Sequence, residues 1–435
     1  MNIYIRLDTY ISKKHLQLDG PSLKKITELL TIEDAIQVIY AAEDSNHVKT
    51  LYDALGERDV TIVFSNYFYD VYEKIRILND DVGLDVLFID KVSFPTLDAE
   101  RGIMKANIVD VLNFIKHRRR RDNILYFSVN PVWRLVILYL IRTAFPGIKI
   151  LLYKYDWLNL FCPYEYREIL QRFLQLPMGY IESEYKVMDM ILKGEIVDGI
   201  LYKDGGEEFD VLKDYSLPKL FFPAYLPEQI HQEPARDVMK PNRFVYLGKL
   251  FSPVDCIPEL FTDAFLIDVF NEIAQQEFLI DVYYVRSTED TVRKYLGQFN
   301  DSENVRIIEG RPLDKLLPSI AGKYHWGYLV NNYRDDFSVI RKHVEAALPA
   351  RILTFLALGL PVVLSEELKY AADFVRKHNI GVVVPAKDIP RIGLILKGID
   401  YGQLQRNVLE LRENLSLEKQ QTRFVSFIRR ILDKR

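Results

Sequence analysis

The chain has 435 residues, of which 49% are hydrophobic and 27% charged, a composition typical of a globular protein large enough for two or three domains. Its formal net charge of −4 argues against a general nucleic-acid-binding protein, whose binding surface normally leaves a basic balance. The two cysteines, Cys162 and Cys256, are too few for a disulfide framework or a cysteine-based metal cluster.

The chain opens with MNIYIRLD, which lacks the apolar core of a signal peptide. No apolar stretch reaches the roughly 20 residues that a membrane-spanning helix needs. We therefore expect a cytoplasmic protein.

The first half of the chain alternates short β-branched runs with amphipathic segments of helical length. This alternation is typical of βαβ units and of mostly parallel sheets. Ser22 is a candidate cap for the first predicted helix. Strands are predicted at 2–8, 35–41, 60–66, 86–92, 124–129, 148–156 and 199–203, and helices at 20–30, 44–55, 67–78, 100–116 and 131–145.

The region 116–145 combines a basic run, KHRRRR at 116–121, with the longest apolar stretch, WRLVILYLIRTAF at 133–145. Arg134 and Arg142 interrupt that stretch, which favours a buried helix of an α/β domain. The other interpretation is a surface for peripheral membrane contact, with the basic run attracted to anionic lipid.

Four prolines and little periodicity between 220 and 243 predict an inter-domain linker at 223–243. A second βα series follows. Its predicted strands are 244–250, 279–287, 304–310, 327–332, 361–365 and 381–385, with helices near 257–276, 288–298, 312–321, 349–358 and 366–378. The predicted domains are thus 1–222 and 244–399, with one or two closing helices in 400–435.

The segment PARILTFLALGLPVVLS at 349–365 predicts a short helix that ends at Gly359 and a strand that begins at Pro361. The N-terminus of such a helix faces the end of the sheet and collects backbone N–H groups and the positive end of a dipole. Arg351 in the first turn opposes the dipole but suits a bound diphosphate. We therefore predict an anion site at the carboxyl edge of a parallel sheet.

Two Rossmann-like halves, a proline-rich linker and this helix–Gly–Pro–strand element resemble the GT-B glycosyltransferases, and look most like the family-4-type retaining enzymes. The matching motifs are Gly248-Lys249, Gly310-Arg311, the 349–365 element and GVVVP at 381–385. The resemblance implies an α/β fold of two Rossmann-like domains facing across a cleft, with C-terminal closing helices. It also implies transfer of a sugar from a UDP- or GDP-sugar to a glycan, lipid-linked or protein acceptor, with retention.

The same resemblance implies roles for residues of the second half. Gly248, Lys249, Arg311 and Arg351 would approach the diphosphate, helped by the N–H groups around 350–353, and these groups would replace a metal, so that no metal or other cofactor is needed. Lys249 could instead be a surface lysine, Arg311 an ion-pairing residue at a helix start, and Gly248 a requirement of the backbone alone.

The chain departs from the family pattern at two positions. Thr354 stands where a glutamate commonly holds the ribose hydroxyls, and a hydroxyl can still bind there without charge assistance. Glu345 is the nearest candidate for the upstream glutamate that contacts the sugar, although it is one residue out of register. It could also be a solvated acid at a helix start.

The acceptor side falls in the first half. Gly20 lies where the family often has a glycine-rich loop, and Tyr155 replaces a common histidine before Asp156. Asp156 is a candidate acceptor base or orienting group, or else a helix cap. Tyr155 and Trp157 could stack on a sugar ring or pack in the core.

The departures at Thr354 and Glu345 leave two other functions open. One is a non-catalytic GT-B subunit that binds a partner enzyme or a glycan, and the other is a GT-B sugar epimerase. A role in polysaccharide or glycolipid assembly at the inner face of a membrane follows from analogy with the family.

Overall fold

The computed structural model divides the chain into two units, Met1–Phe222 with Gln421–Arg435, and Pro223–Gln420. The chain therefore passes between the units twice, at 222–223 and again at 420–421, inside its last helix. The structure describes residues 3–6, 28–41, 46–65, 69–89, 104–130, 134–155, 157, 164, 167–206, 209–234, 242–250, 266–276, 278–284, 304–330 and 340–433.

The first unit contains a parallel sheet of order β5-β4-β3-β6-β7-β8-β9 and a separate antiparallel pair, β1 and β2. The central strands are buried along almost their whole length, as expected where helices cover both faces. The strands are β1 (Tyr4–Ile5), β2 (Leu30–Thr31), β3 (Val60–Phe64), β4 (Asp85–Ile89), β5 (Met104–Ala106), β6 (Ile124–Asn130), β7 (Lys149–Lys154), β8 (Gly199–Tyr202) and β9 (Lys219–Phe221).

Helices connect these strands. They are α1 (Ile32–Ala41), α2 (Asn46–Leu55), α3 (Tyr69–Asp80), α4 (Ile108–His117), α5 (Val136–Ala144), α6 (Arg167–Leu174), α7 (Met178–Leu192) and α8 (Asp210–Lys213). The sequence reasoning missed α6, α7, α8 and β9, because they fall in stretches that it left unassigned.

The predicted strand at 35–41 is wrong, because this segment belongs to helix α1. Its buried residues, Ile32, Ala35 and Ile39, follow the helical spacing rather than the alternation of a strand. Thr31 caps the helix, since its hydroxyl accepts from the N–H of Asp34 at 3.1 Å. The sequence contains this cap, but the strand prediction was based on the β-branched residues of 35–41.

One further predicted helix of the first half is corrected, and another lies mostly outside the described residues. In 100–116 the described residues form β5 before α4 begins, with Asn107 as the cap that accepts from the N–H of Asp110 at 2.9 Å. Most of the predicted helix 20–30, and Ser22 with it, lies outside the described residues. Leu30 at its end belongs to β2.

Within the apolar stretch at 133–145, Val136–Ala144 form α5, and the residues of its apolar face are buried. Arg142, which interrupts the apolar stretch, lies in the last turn of this helix, where its guanidinium forms an ion pair with Asp198 at 2.6 Å. Arg118 of the basic run is buried as well, and its guanidinium donates to the carbonyl groups of Gly56 and Arg58. The apolar side chains of α5 therefore belong to the core of the first unit.

The second unit contains a parallel sheet of order β12-β11-β10-β13-β14-β15. Its strands are β10 (Arg243–Gly248), β11 (Leu279–Tyr284), β12 (Val305–Glu309), β13 (Trp326–Leu329), β14 (Val362–Ser365) and β15 (Gly381–Val384). Its helices are α9 (Leu266–Ala274), α10 (Leu313–Ile320), α11 (Arg341–Ala346), α12 (Arg351–Ala357), α13 (Lys369–His378), α14 (Ile392–Lys397), α15 (Tyr401–Asn414) and α16 (Leu417–Leu432), the last of which continues into the first unit.

Both parallel sheets have the doubly wound order of Rossmann-like domains. In each, the third strand of the parallel series lies at one edge, and the strand order reverses between the first and fourth. The crevice at this reversal is where open α/β sheets bind ligands. In the second unit the reversal lies between β10 and β13, and the predicted α/β fold of two Rossmann-like domains is confirmed.

The segment predicted as a linker, 223–243, begins at the boundary between the units. Its residues 223–234 pack onto the second unit, because the N–H of Gln232 donates to Ala357 at 2.7 Å and Leu226 accepts from the N–H of Leu417 at 3.0 Å. At its other end, Arg243 already belongs to β10. Among the described residues, none of the helices is both long and apolar enough to span a bilayer.

Candidate functional site

Helix α12 ends as the sequence predicts. The N–H of Gly359 donates to Leu356 at 2.8 Å and that of Leu360 donates to Phe355 at 2.9 Å, which is a Schellman motif. Gly359 has φ +69, a conformation that favours glycine. The motif stops the helix so that Pro361 can lead directly into β14.

Close packing places α12 against the sheet. A Cβ atom at Gly327 of β13 would overlap the ring of Phe355, so this glycine lets the helix approach the strand. The helix residues 352–357 are all buried. The first residue of the helix, Arg351, is thereby positioned at the carboxyl edge of the sheet.

Arg351 lies beside the end of β10. Its guanidinium carbon is 4.9 Å from the centre of the Tyr246 ring. A Cβ atom on Gly248 would be 3.2 Å from Nη1 of Arg351, so Gly248 leaves room for the guanidinium. Lys249 follows directly and is exposed. Three of the predicted diphosphate residues, Gly248, Lys249 and Arg351, are therefore together at the point where the strand order reverses.

Two of the backbone N–H groups at the start of α12 already have partners. The N–H of Ile352 donates to Pro349 at 2.9 Å, and that of Leu353 donates to Ala350 at 3.1 Å. These two donors are already satisfied within the first turn, so neither is free for an anion.

Arg311 has a separate position. It is exposed and follows β12, the edge strand, two strands away from β10. At a strand spacing of about 4.8 Å, this places its backbone roughly 10 Å from β10. It lies on the same carboxyl edge, because Gly310 directly after β12 donates to Tyr284 at 2.8 Å.

Thr354 is 9% exposed, and its hydroxyl lies 3.5 Å from the carbonyl oxygen of Ala350 in the preceding turn. Such a contact within the helix is the usual partner of a threonine hydroxyl in this position. The hydroxyl can still accept a hydrogen bond, but it lacks the charge of the glutamate that it replaces.

Glu345 lies on α11 and forms an ion pair with Lys369 of α13, at 2.7 Å between Oε1 and Nζ. The lysine is largely exposed, so the pair is of the surface type that contributes little to stability. The carboxylate is partly exposed and remains accessible to a ligand.

In the first unit, Gly20 and Asp156 lie outside the described residues. Trp157 has no exposed surface and packs on Phe209 at 5.4 Å between ring centres, which favours the core interpretation over stacking on a sugar. Tyr155 is 8% exposed and lies 5.2 Å from the ring of Tyr153, with Lys203 above its own ring.

The sequence reasoning missed two buried ionic groups at the carboxyl edge of the first sheet. Glu184 of α7 accepts from the N–H groups of Leu135 and Val136 at 2.9 and 3.0 Å, and burial raises the pKa of this carboxyl to about 7 although the nearby Lys154 opposes the rise. Lys203 pairs with Asp204 at 2.8 Å directly after β8. The signal was the repeated Leu-Tyr-Lys at the ends of β7 and β8, since charges seldom follow a buried strand without a partner.

Residues 269–423 match the family model described as Glucosyltransferase 3-like, C-terminal domain. A comparison with curated protein sequences finds no match. Among solved structures, a UDP-forming α,α-trehalose-phosphate synthase from Burkholderia xenovorans is 10% identical with a TM-score of 0.54, covering 87% of this chain and 99% of that chain.

Two other solved structures are similar over comparable lengths. A Medicago truncatula UGT complexed with UDP-glucose is 12% identical, with a TM-score of 0.51 and coverage of 86% of this chain and 98% of that chain. The lipopolysaccharide outer core galactosyltransferase WaaB, in its apo form, is 11% identical, with a TM-score of 0.51 and the same coverages. At these identities the likeness is one of fold.

The family match falls in the unit that carries Arg351 and α12, and the solved structures extend the GT-B fold over most of the chain. The resemblance to GT-B glycosyltransferases that the sequence motifs indicated is confirmed. Residues 269–423 are thus similar to a glucosyltransferase 3-like C-terminal domain, and the chain as a whole has the GT-B fold.

Proposed function

We propose that the chain transfers a sugar from a nucleoside diphosphate sugar to a glycan, lipid-linked or protein acceptor, with retention at the anomeric carbon. The donor binds the second unit, with its diphosphate at Gly248, Lys249 and Arg351, while Arg311 contacts its outer side. The acceptor binds the first unit near Gly20, Tyr155 and Asp156.

The observation that carries this proposal is the position of Arg351 beside Gly248, at the reversal of the second sheet. When the bond between the sugar C1 and the β-phosphate oxygen breaks, its electron pair remains on the diphosphate. Cations already in place stabilise that growing charge more than they stabilise the intact donor, and this difference lowers the barrier.

A uridine nucleotide is the first choice of donor. Two of the similar structures are named as a UDP-forming enzyme and a complex with UDP-glucose. Since these proteins share only the fold with this chain, GDP-sugars stay as the second choice.

We further propose that the reaction needs no bound metal, because Lys249, Arg311 and Arg351 supply the charge that a metal would supply elsewhere. Full turnover in excess EDTA supports this, and loss of turnover that Mg²⁺ or Mn²⁺ restores contradicts it.

Glu345 and Asp156 are the proposed catalytic carboxylates, with Glu345 on the donor sugar and Asp156 on the acceptor hydroxyl. The hydroxyl of Thr354 binds the ribose of the donor. Polysaccharide or glycolipid assembly at the cytoplasmic face of a membrane is the proposed setting, where the exposed Arg119 and Arg120 would face anionic lipid. Flotation with anionic vesicles tests this contact.

The deciding experiment is titration of the full chain with UDP, GDP and their sugars by calorimetry, followed by assay of UDP or GDP release and NMR of the product's anomeric coupling. Nucleotide binding with sugar transfer supports the proposal. The absence of binding by every nucleotide contradicts it, and an inverted product removes the retaining mechanism alone.

A non-catalytic GT-B subunit is the second candidate. It is favoured by Thr354, whose hydroxyl contacts Ala350, and by Glu345, whose carboxylate pairs with Lys369. Both positions would hold carboxylates for the donor in the family that the sequence resembles. Nucleotide binding without turnover, on an array of glycan and lipid-linked acceptors, would favour this candidate.

A further inference from the structure

We propose that Tyr246 is a positioning residue for the diphosphate site, holding Arg351 and the backbone of Lys249 in place before a nucleotide binds. This inference rests on the proposed function of that site. Tyr246 lies in β10 and has no exposed surface, so it acts through its neighbours and not by contact with the ligand.

A single side chain reaches both groups. The Tyr246 hydroxyl donates to the carbonyl oxygen of Lys249 at 2.7 Å, which closes the turn that follows β10. The ring of the same residue lies under the guanidinium of Arg351, 4.9 Å from its central carbon. Gly248 lies between them, and a Cβ atom there would be 3.1 Å from the hydroxyl, a tighter contact than a Cβ atom usually makes.

The ring is itself held. Phe270 of α9 meets it edge-on at 5.3 Å, and both residues belong to the hydrophobic core on that face of the sheet. A rigid aromatic face under a guanidinium restricts a side chain that otherwise loses much rotamer freedom on binding. Arg351 therefore meets a diphosphate already oriented, and less affinity is lost to ordering.

The test is calorimetric titration of the full chain with UDP. Tyr246→Phe keeps the ring and removes the hydroxyl, so we expect the Kd to rise about three- to tenfold, as for one net hydrogen bond. Tyr246→Leu also removes the ring and should raise the Kd further. Tyr328→Phe is the matched control, because Tyr328 is a buried tyrosine of the neighbouring strand whose hydroxyl has no partner among the described residues, and its Kd should not change.

A double-mutant cycle separates positioning from general loosening of the fold. If Tyr246 acts through Arg351, then Tyr246→Leu should change the UDP affinity much less in an Arg351→Ala background than in the wild type. An equal change in both backgrounds would overturn the inference, as would a wild-type Kd in Tyr246→Phe. Should Tyr246→Leu not fold, Tyr246→Phe and its control still decide.

Failure of the inference can be told from failure of the proposed function. A wild-type chain that binds neither UDP nor GDP overturns both. Wild-type binding that is weakened by Arg351→Ala but unchanged by either Tyr246 variant overturns the positioning role alone.

Discussion

Replacement of Arg351 by alanine tests the diphosphate site most directly. A charge-assisted hydrogen bond is worth about 1.5–3 kcal/mol, so loss of one to the diphosphate should raise the nucleotide Kd roughly 10- to 150-fold. Arg351 is a half-buried residue at a helix start, and loss of its contact with the Tyr246 ring should cost the unliganded protein about 0.5–1 kcal/mol.

A thermal-shift assay with UDP measures the effect. At a nucleotide concentration about 100 times the wild-type Kd, binding stabilises the protein by about 2.7 kcal/mol. A Kd raised about 30-fold leaves about 0.9 kcal/mol at the same concentration. For units of about 200 residues, where 1 kcal/mol moves the Tm by about 2–4 °C, the shift should fall from about 5–10 °C to about 2–4 °C.

Arg376→Ala is the matched control for loss of one positive charge. Arg376 is in the last turn of α13, so it lies toward the amino edge of the sheet, and its ion pairs with Glu366 and Asp373 are exposed. The UDP-induced rise in Tm of the Arg376→Ala protein should equal that of the wild type. An Arg351→Ala protein that melts earlier without ligand yet keeps the full UDP shift would refute the reasoning, because Arg351 would then be structural.

Three further changes have defined outcomes. Gly327→Ala should destabilise the second unit by about 1–3 kcal/mol in urea titrations, because the new methyl group overlaps Phe355. The control Gly402→Ala has space for a methyl group in α15 and should be neutral or stabilising. Equal effects of the two substitutions on stability would contradict this account. Glu184→Gln should flatten the pH dependence of stability: burial raises the pKa of Glu184 from 4.5 to about 7, so the native state keeps a proton that the unfolded chain releases, and wild-type stability should fall as the pH rises through that window. If the urea midpoints of the wild type and of Glu184→Gln change by the same amount between about pH 5 and about pH 8, this account of Glu184 is contradicted. Glu345→Gln should lower kcat at least about tenfold with an unchanged melting temperature, if the carboxylate contacts the reacting sugar; an unchanged kcat would return it to a surface acid.

Secondary structure was predicted correctly where it depends on residues that are neighbours in the sequence. The helix–Gly–Pro–strand element predicted α12 and β14, because a Schellman glycine and a proline constrain the backbone within a few residues. The same reasoning failed at 35–41, where β-branched residues favour a strand locally and the capped, buried face of α1 prevails in the fold.

Some features of the candidate site could be predicted from the sequence, and others depend on the tertiary structure. The presence of Gly248, Lys249 and Arg351 at the ends of predicted elements could be deduced from the sequence, and the carboxyl edge of the sheet follows from parallel strands. The separation of Arg311 could not, since it depends on β12 being the edge strand. Likewise, whether Trp157 faces a ligand or the core is decided by Phe209, which lies far along the chain.

By itself, the amino-acid sequence determined the class of fold, the two parallel series of strands and the cationic character of the second sheet's carboxyl edge, because periodicity, turn residues and composition act over short distances. Only the tertiary structure decided the partners: Tyr246 under Arg351, Lys369 on Glu345 and the N–H groups of α5 on Glu184. Such contacts join residues that are far apart in the chain, and they exist only once strand order and packing have brought them within a few ångströms.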